Sequence, residues 1–230
     1  MCIRDSPAAE VTPAEIMQWA QQLRTCRSWI SPTDTGLADS TVHNTLVIVA
    51  SAFKWGVQEG YIARSPVTVP RQELAVDPMT IPTRGAIDRV TDLVNDGGAK
   101  FMFKGRENTA RPNLAVADMM RIALWAGPRV SEIGGLVVGD IDLAADFIHV
   151  RAQLSRDGKH RAPVKSDYSR RDIPIAPALK PTLRRLTAGR EPEEWLIVSQ
   201  NGNPIQASHA GKVVRIAAEY VGAPDVHFHA

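Results

Sequence analysis

Apolar residues recur at steps of three and four near the start of the chain, where Ile16, Trp19, Ala20 and Leu23 share one face. Thr12 ahead of Pro13 and Glu15 supplies the polar cap and first turn, so a helix is predicted over residues 12–25. A loop rich in Ser, Pro, Thr, Asp and Gly follows. From Ser40, Val42, Leu46, Val49, Phe53 and Val57 mark a second helix that stops at Gly60. Residues 70–82 combine prolines with weak periodicity and read as a linker, with a second region starting near Thr83. Residues 97–112 read as a loop or hairpin, and residues 114–126 as a strongly apolar, buried helix.

Beyond residue 140 the period changes from helical to alternating. Residues 147–150, 162–165 and 171–175 alternate like strands with polar turns between them, which predicts a three-stranded antiparallel sheet. Pro174 makes the third strand an edge, or ends it. An Arg-rich helix over 179–186, an apolar segment at 194–198 before the turn Asn201-Gly202-Asn203, and a helix over 208–220 complete the pattern. The expected class is α+β, mainly helical, without internal repeats.

With 230 residues and 44% hydrophobic content the chain can bury one sizeable core or two small ones. No run approaches the roughly 20 apolar residues of a membrane helix, and no leader for export is legible. Cys2 and Cys26 make no disulfide framework, so an intracellular, cytoplasmic setting is expected. Residues 1–6 lack periodicity and read as a foreign scar. The net charge of +2 conceals a local excess: residues 151–190 hold 11 Lys and Arg against 3 Asp. That concentration favours a polyanionic partner, although a solvated helix face would look the same.

Two stretches carry candidate chemistry. In Gly127-Pro128-Arg129-Val130-Ser131-Glu132, Pro128 suits a first helical turn and places Arg129 at a helix start. In Val164-Lys165-Ser166-Asp167-Tyr168-Ser169-Arg170-Arg171, basic residues cluster on a hairpin. An arginine fork can hold two phosphate oxygens at once, and an ammonium can reach a groove and give up a proton. Each also has a plainer explanation. Arg129 could simply pair with Glu132, and Lys165 could contact solvent or DNA backbone without transferring a proton.

These stretches resemble the signatures of the tyrosine recombinase, or phage integrase, family. The first reads Thr-Gly-Leu-Arg-x-Ser-Glu there, with Ala126 and Pro128 replacing the Thr and Leu here. The second, a hairpin Lys followed by Ser-x-Arg-x-hydrophobic-Pro-hydrophobic, is met by Lys165, Ser169, Arg171, Ile173, Pro174 and Ile175. Residues 40–66 are similar to the end of the family's core-binding domain. The resemblance implies a helical, N-terminally incomplete core-binding domain at 7–69, a linker at 70–82, and a C-terminally truncated catalytic domain at 83–230.

For function, the resemblance implies site-specific DNA cleavage and rejoining through a 3′-phosphotyrosine, on double-stranded DNA, by a homotetramer of the full-length protein. It needs no cofactor and no metal. Arg129 would clamp the scissile phosphate, Lys165 would be the acid for the leaving oxygen, and Glu132 would brace the site. Lys159, Arg161, Arg170 and Arg171 would bind DNA. A third signature, His-x-x-Arg, is not met by His227, because Ala230 stands three residues later; His229 fits its start. None of Tyr61, Tyr168 and Tyr220 follows such a box, so no nucleophile is assigned and the chain is expected to be an inactive fragment; Tyr168 is expected to pack or to contact DNA. The rival expectation is a non-catalytic DNA-binding protein on the same fold.

Overall fold

A computed structural model describes residues 7–25, 36–70 and 81–228. Residues 1–6, the loop at 26–35 and most of the expected linker lie outside the described residues. The chain divides into two compact units, residues 1–78 and 79–230.

The first unit is built on α1 (Pro13–Thr25) and α2 (Asp39–Gln58). Thr12 and Glu15 cap α1 reciprocally: the Glu15 amide donates to Thr12 Oγ1 at 3.3 Å and the Thr12 amide to Glu15 Oε2 at 2.9 Å. Ile16, Ala20 and Leu23 meet Val42 and Leu46 in a small core, with Trp19, Val49 and Phe53 at its margin. The 3.6-residue period therefore marks the buried faces as expected, except that Val57 stays exposed.

In the second unit, α3 (Arg84–Asp96) starts at Thr83, whose hydroxyl accepts from the Ala86 amide. A hairpin of β1 (Lys100–Phe103) and β2 (Arg106–Thr109) follows, turning through Lys104 and Gly105 at positive φ. Then α4 (Leu114–Ala126), capped by Asn113, runs through the core; Val116, Ala117, Met119 and Ile122 are wholly buried. Gly127 ends it in the left-handed conformation, φ 69°, and the chain turns into the short α5 (Val130–Gly134) with Arg129 as its N-cap. Pro128 thus precedes the cap and is not in the first turn, because it is needed in the reversal between α4 and α5.

The remaining elements are β3 (Ile141–Asp142), β4 (Phe147–Val150), β5 (Ala152–Leu154), β6 (Arg161–Pro163), β7 (Arg171–Pro174), α6 (Lys180–Thr187) and α7 (Ala207–Tyr220). The class is α+β and mainly helical, with small antiparallel sheets. A three-stranded sheet is present, in the order β3-β4-β7, with Ile148 opposite Ile173 and Pro174 ending the edge strand. Its third member differs from expectation. Residues 161–163 pair with β5 in a separate hairpin, and β3 joins the sheet instead. The polar turn at 155–160 brings β6 back onto β5 at a lower loop-closure cost than pairing with a more distant strand.

Below the sheet, Ile148, Leu136, Leu179, Leu183 and Leu196 close one core with α4 and α7. Among the described residues no helix is long and apolar enough to cross a membrane. Ile122→Ala, which opens a cavity at the centre of α4, should destabilise the second unit by about 2–5 kcal/mol, whereas Ile48→Ala on the exposed face of α2 should change little. Urea unfolding of both variants measures the difference, and equal effects would contradict this assignment of the core.

Candidate functional site

Glu132, on α5, is 2% exposed and carries a charge that burial disfavours. Three donors meet it. The Arg129 amide reaches Oε2 and the Arg129 Nη1 reaches Oε1, each at 2.9 Å, while Arg171 Nη2 donates to Oε2 at 2.8 Å. Burial is the largest single influence on the carboxyl and opposes ionisation. The hydrogen bonds from Arg171 and Arg129 together outweigh it and hold the pKa below its ordinary value. Two guanidiniums against one carboxylate leave one positive charge in excess.

Arg171 also grips the segment before it. Its Nη1 donates to the Ser169 carbonyl at 2.9 Å, and Ser169, itself buried, shares a 3.1 Å hydroxyl contact with Ser166. A cavity of about 770 Å3 opens beside this network. Met120, Ala123 and Leu124 of α4 and Val214 of α7 form its apolar wall, and Arg129, Ser166, Ser169, Arg171 and His227 its polar side. Lys165 is exposed and directly precedes Ser166, but it does not itself line the cavity. Tyr168, at the cavity's edge, is 99% exposed, so among the described residues it does not pack into the core.

The other candidates separate into two groups. Arg161 binds the buried Asp140 at 2.7 Å, and Arg171 is occupied as described. Lys159 and Arg170 are exposed and, among the described residues, make no ion pair; Lys159 lies in the β5–β6 turn and Arg170 directly before β7. The same division runs through the whole basic stretch. Arg151, Lys180, Arg185 and Arg190 are held by Asp172, Asp146, Asp118 and Glu194. Arg156, Lys159, Lys165, Arg170 and Arg184 are the cations left unpaired there among the described residues. Four of those five fall between 156 and 170. The charge count along the sequence overstated the free charge, because it could not see carboxylates arriving from elsewhere.

His229 lies outside the described residues. His227, set aside in the sequence for want of an Arg at 230, lines the cavity. Alternation of the strands around residues 147–175 hinted at a shared hairpin region, but no sequence signal pointed to the Ser166–Ser169 contact.

Residues 106–230, more than half of the chain, match the model of the phage integrase family. The chain belongs to the phage integrase family. The transposases of transposon Tn916 from Enterococcus faecalis and transposon Tn1545 from Streptococcus pneumoniae are each 23% identical over 185 residues, covering 79% of this chain and 41% of theirs. The chain therefore spans about two fifths of these curated relatives. The Tn1549 transposon integrase, in complex with circular intermediate DNA, superimposes with a TM-score of 0.68 at 20% identity, over 97% of this chain and 69% of that one. A lambda integrase dimer bound to a COC′ core site gives 0.60 at 15%, over 95% and 68%. Both likenesses show a shared fold.

In this integrase-family chain the depressed pKa of Glu132 has a definite sign in stability. Its contribution is present above the unfolded value, near 4.5, and is lost as pH falls through the lower folded value. Glu132→Gln, which leaves two guanidiniums without their buried counter-charge, should lower stability at pH 7 by about 3 kcal/mol and flatten the loss below about pH 4.5. Urea unfolding between roughly pH 2.5 and about pH 7 measures both. An acid limb identical in the two proteins would show that the carboxylate is not held this way.

Proposed function

We propose that this chain is part of a site-specific DNA recombinase, whose full-length form cuts duplex DNA and rejoins it through a 3′-phosphotyrosine. The observation that carries the reading is the junction of two motifs at one cavity: Arg129 and the segment bearing Lys165 are joined there through Glu132 and Arg171. Attack on a phosphodiester concentrates charge on its non-bridging oxygens, which fixed cations stabilise without a metal. Arg129, more than half exposed despite its tie to Glu132, presents its remaining donors to that phosphate. Lys165 supplies the proton to the departing 5′ oxygen. His229 hydrogen-bonds the phosphate or takes the nucleophile's proton.

Duplex DNA is the partner, lying across the unpaired cations from Arg156 to Arg170. The named relatives support this, since both the Tn1549 and lambda integrases are seen on DNA. The working assembly is four subunits on paired sites, in the cytoplasm. Arg171 contributes by holding Glu132 more than by touching backbone, because each of its two terminal nitrogens already donates within the protein, one to the Ser169 carbonyl and one to Glu132.

Fluorescence anisotropy with a labelled duplex tests the reading. Affinity should fall by about two orders of magnitude between roughly 50 and 200 mM salt, as expected for four or five neutralised phosphates. Arg129→Ala and Arg170→Ala should each weaken binding several-fold, whereas Lys180→Ala, which removes a cation already paired with Asp146, should not. Salt-independent binding, or equal losses from Lys180 and Arg170, would sink the proposal.

A further inference from the structure

Between the two motifs stands a side chain that belongs to neither. Gln153, in the middle of β5, accepts from Ser131 Oγ through Oε1 at 3.3 Å and donates from Nε2 to the Pro163 carbonyl at 2.9 Å. Ser131 is two residues after Arg129, and Pro163 is two residues before Lys165. We propose that Gln153 is a positioning residue that sets the approach of Lys165 to Arg129. This rests on the reading of those two cations as phosphate-facing groups.

The chemistry of the bridge fixes its polarity. A carbonyl oxygen can only accept, so the amide nitrogen must face Pro163, and Oε1 is left to take the serine proton. The side-chain amide carries one group of each kind, a donor for the Pro163 carbonyl and an acceptor for the Ser131 hydroxyl, and so joins the two. Its length matters as well, because the strand beneath it cannot move. A Cβ built on Gly135, just after α5, would lie 2.4–2.6 Å from the backbone of Gln153 and Leu154. The backbone of β5 is thus seated directly against the end of α5, and the Gln153 amide transmits that seating to β6.

The segment bearing Lys165 needs such a tether. β5 and β6 form an isolated two-stranded sheet of three residues each, which is marginal by itself. Val164 is buried immediately after β6, so a fixed Pro163 carbonyl defines the path on which Lys165 leaves the core. On its other side Lys165 is followed by Ser166, held through Ser169 and Arg171 to Glu132. Both tethers end on α5, the helix that Arg129 caps. Gln153 is the N-terminal tether, Arg171 the C-terminal one.

The test is the salt dependence of duplex binding, which counts phosphate contacts and is insensitive to a modest loss of stability. Lys165→Ala should lower the slope of log affinity against log salt by about one. Gln153→Met, uncharged and of similar length, should lower it by nearly as much, as though a cation had been removed, with a several-fold loss of affinity. Adding Gln153→Met to Lys165→Ala should produce no further fall. Ser131→Ala, which releases the other end of the bridge with less disturbance, should move the slope in the same direction and stands in if Gln153→Met does not fold. A wild-type slope in folded Gln153→Met and Ser131→Ala, a loss that simply adds to that of Lys165→Ala, or a wild-type slope in Lys165→Ala would each overturn the inference. Absence of binding by the unsubstituted chain would instead sink the recombinase reading itself.

Discussion

One buried carboxylate organises this site. Glu132 could not be left charged at 2% exposure without partners, and the partners it has found are Arg129, three residues before it, and Arg171, 39 residues after it. The same atoms that solve a desolvation problem therefore fix a distance between motifs. Because the carboxylate offers one charge to two guanidiniums, the solution leaves a positive remainder facing the cavity. The two guanidiniums are thus held in place by contacts within the protein itself.

Charge at the surface follows a related logic. Several basic side chains of residues 151–190 are held at home by Asp118, Asp140, Asp146, Asp172 and Glu194, some of them buried. Those arginines and lysines pin α6 and the small sheet to the core. The cations left without an ion pair among the described residues lie mostly on the β5–β6 turn and the segment after it. Paired and unpaired charges are thus interleaved in sequence and sorted in space among the described residues.

The scaffold beneath is rigid where the site needs it to be. α4 is buried from Val116 to Met120 and again at Ile122, and Gly127 in the left-handed conformation allows the abrupt turn that delivers Arg129 to the cavity. The close seating of β5 on α5 at Gly135 makes helix and hairpin a single platform. Small displacements in one are carried to the other through packed backbone, which has little room to yield.

Much of this was legible in the residues. The periods of α1, α2 and α4, the change to alternation after residue 140, and the edge position of Pro174 are local properties, set by propensity and by which faces must be buried. Arg129, Lys165 and Glu132 stood out through their motif spacing. The exchange of strand partners, with β3 in the three-stranded sheet and residues 161–163 in a separate hairpin, was not legible, because alternation identifies a strand without naming its neighbour. Nor could charge counting tell the Arg161 bound to Asp140 from the unpaired Arg170. The sequence by itself determined α1, α2, α4, α6 and α7, the strands β4 and β7, and the chemical identity of the candidate groups, since these depend on neighbours a few positions away. Only the tertiary structure decided which of those groups share a carboxylate, a cavity or a bridging amide, because such contacts join residues far apart in the chain and arise only when the core has closed.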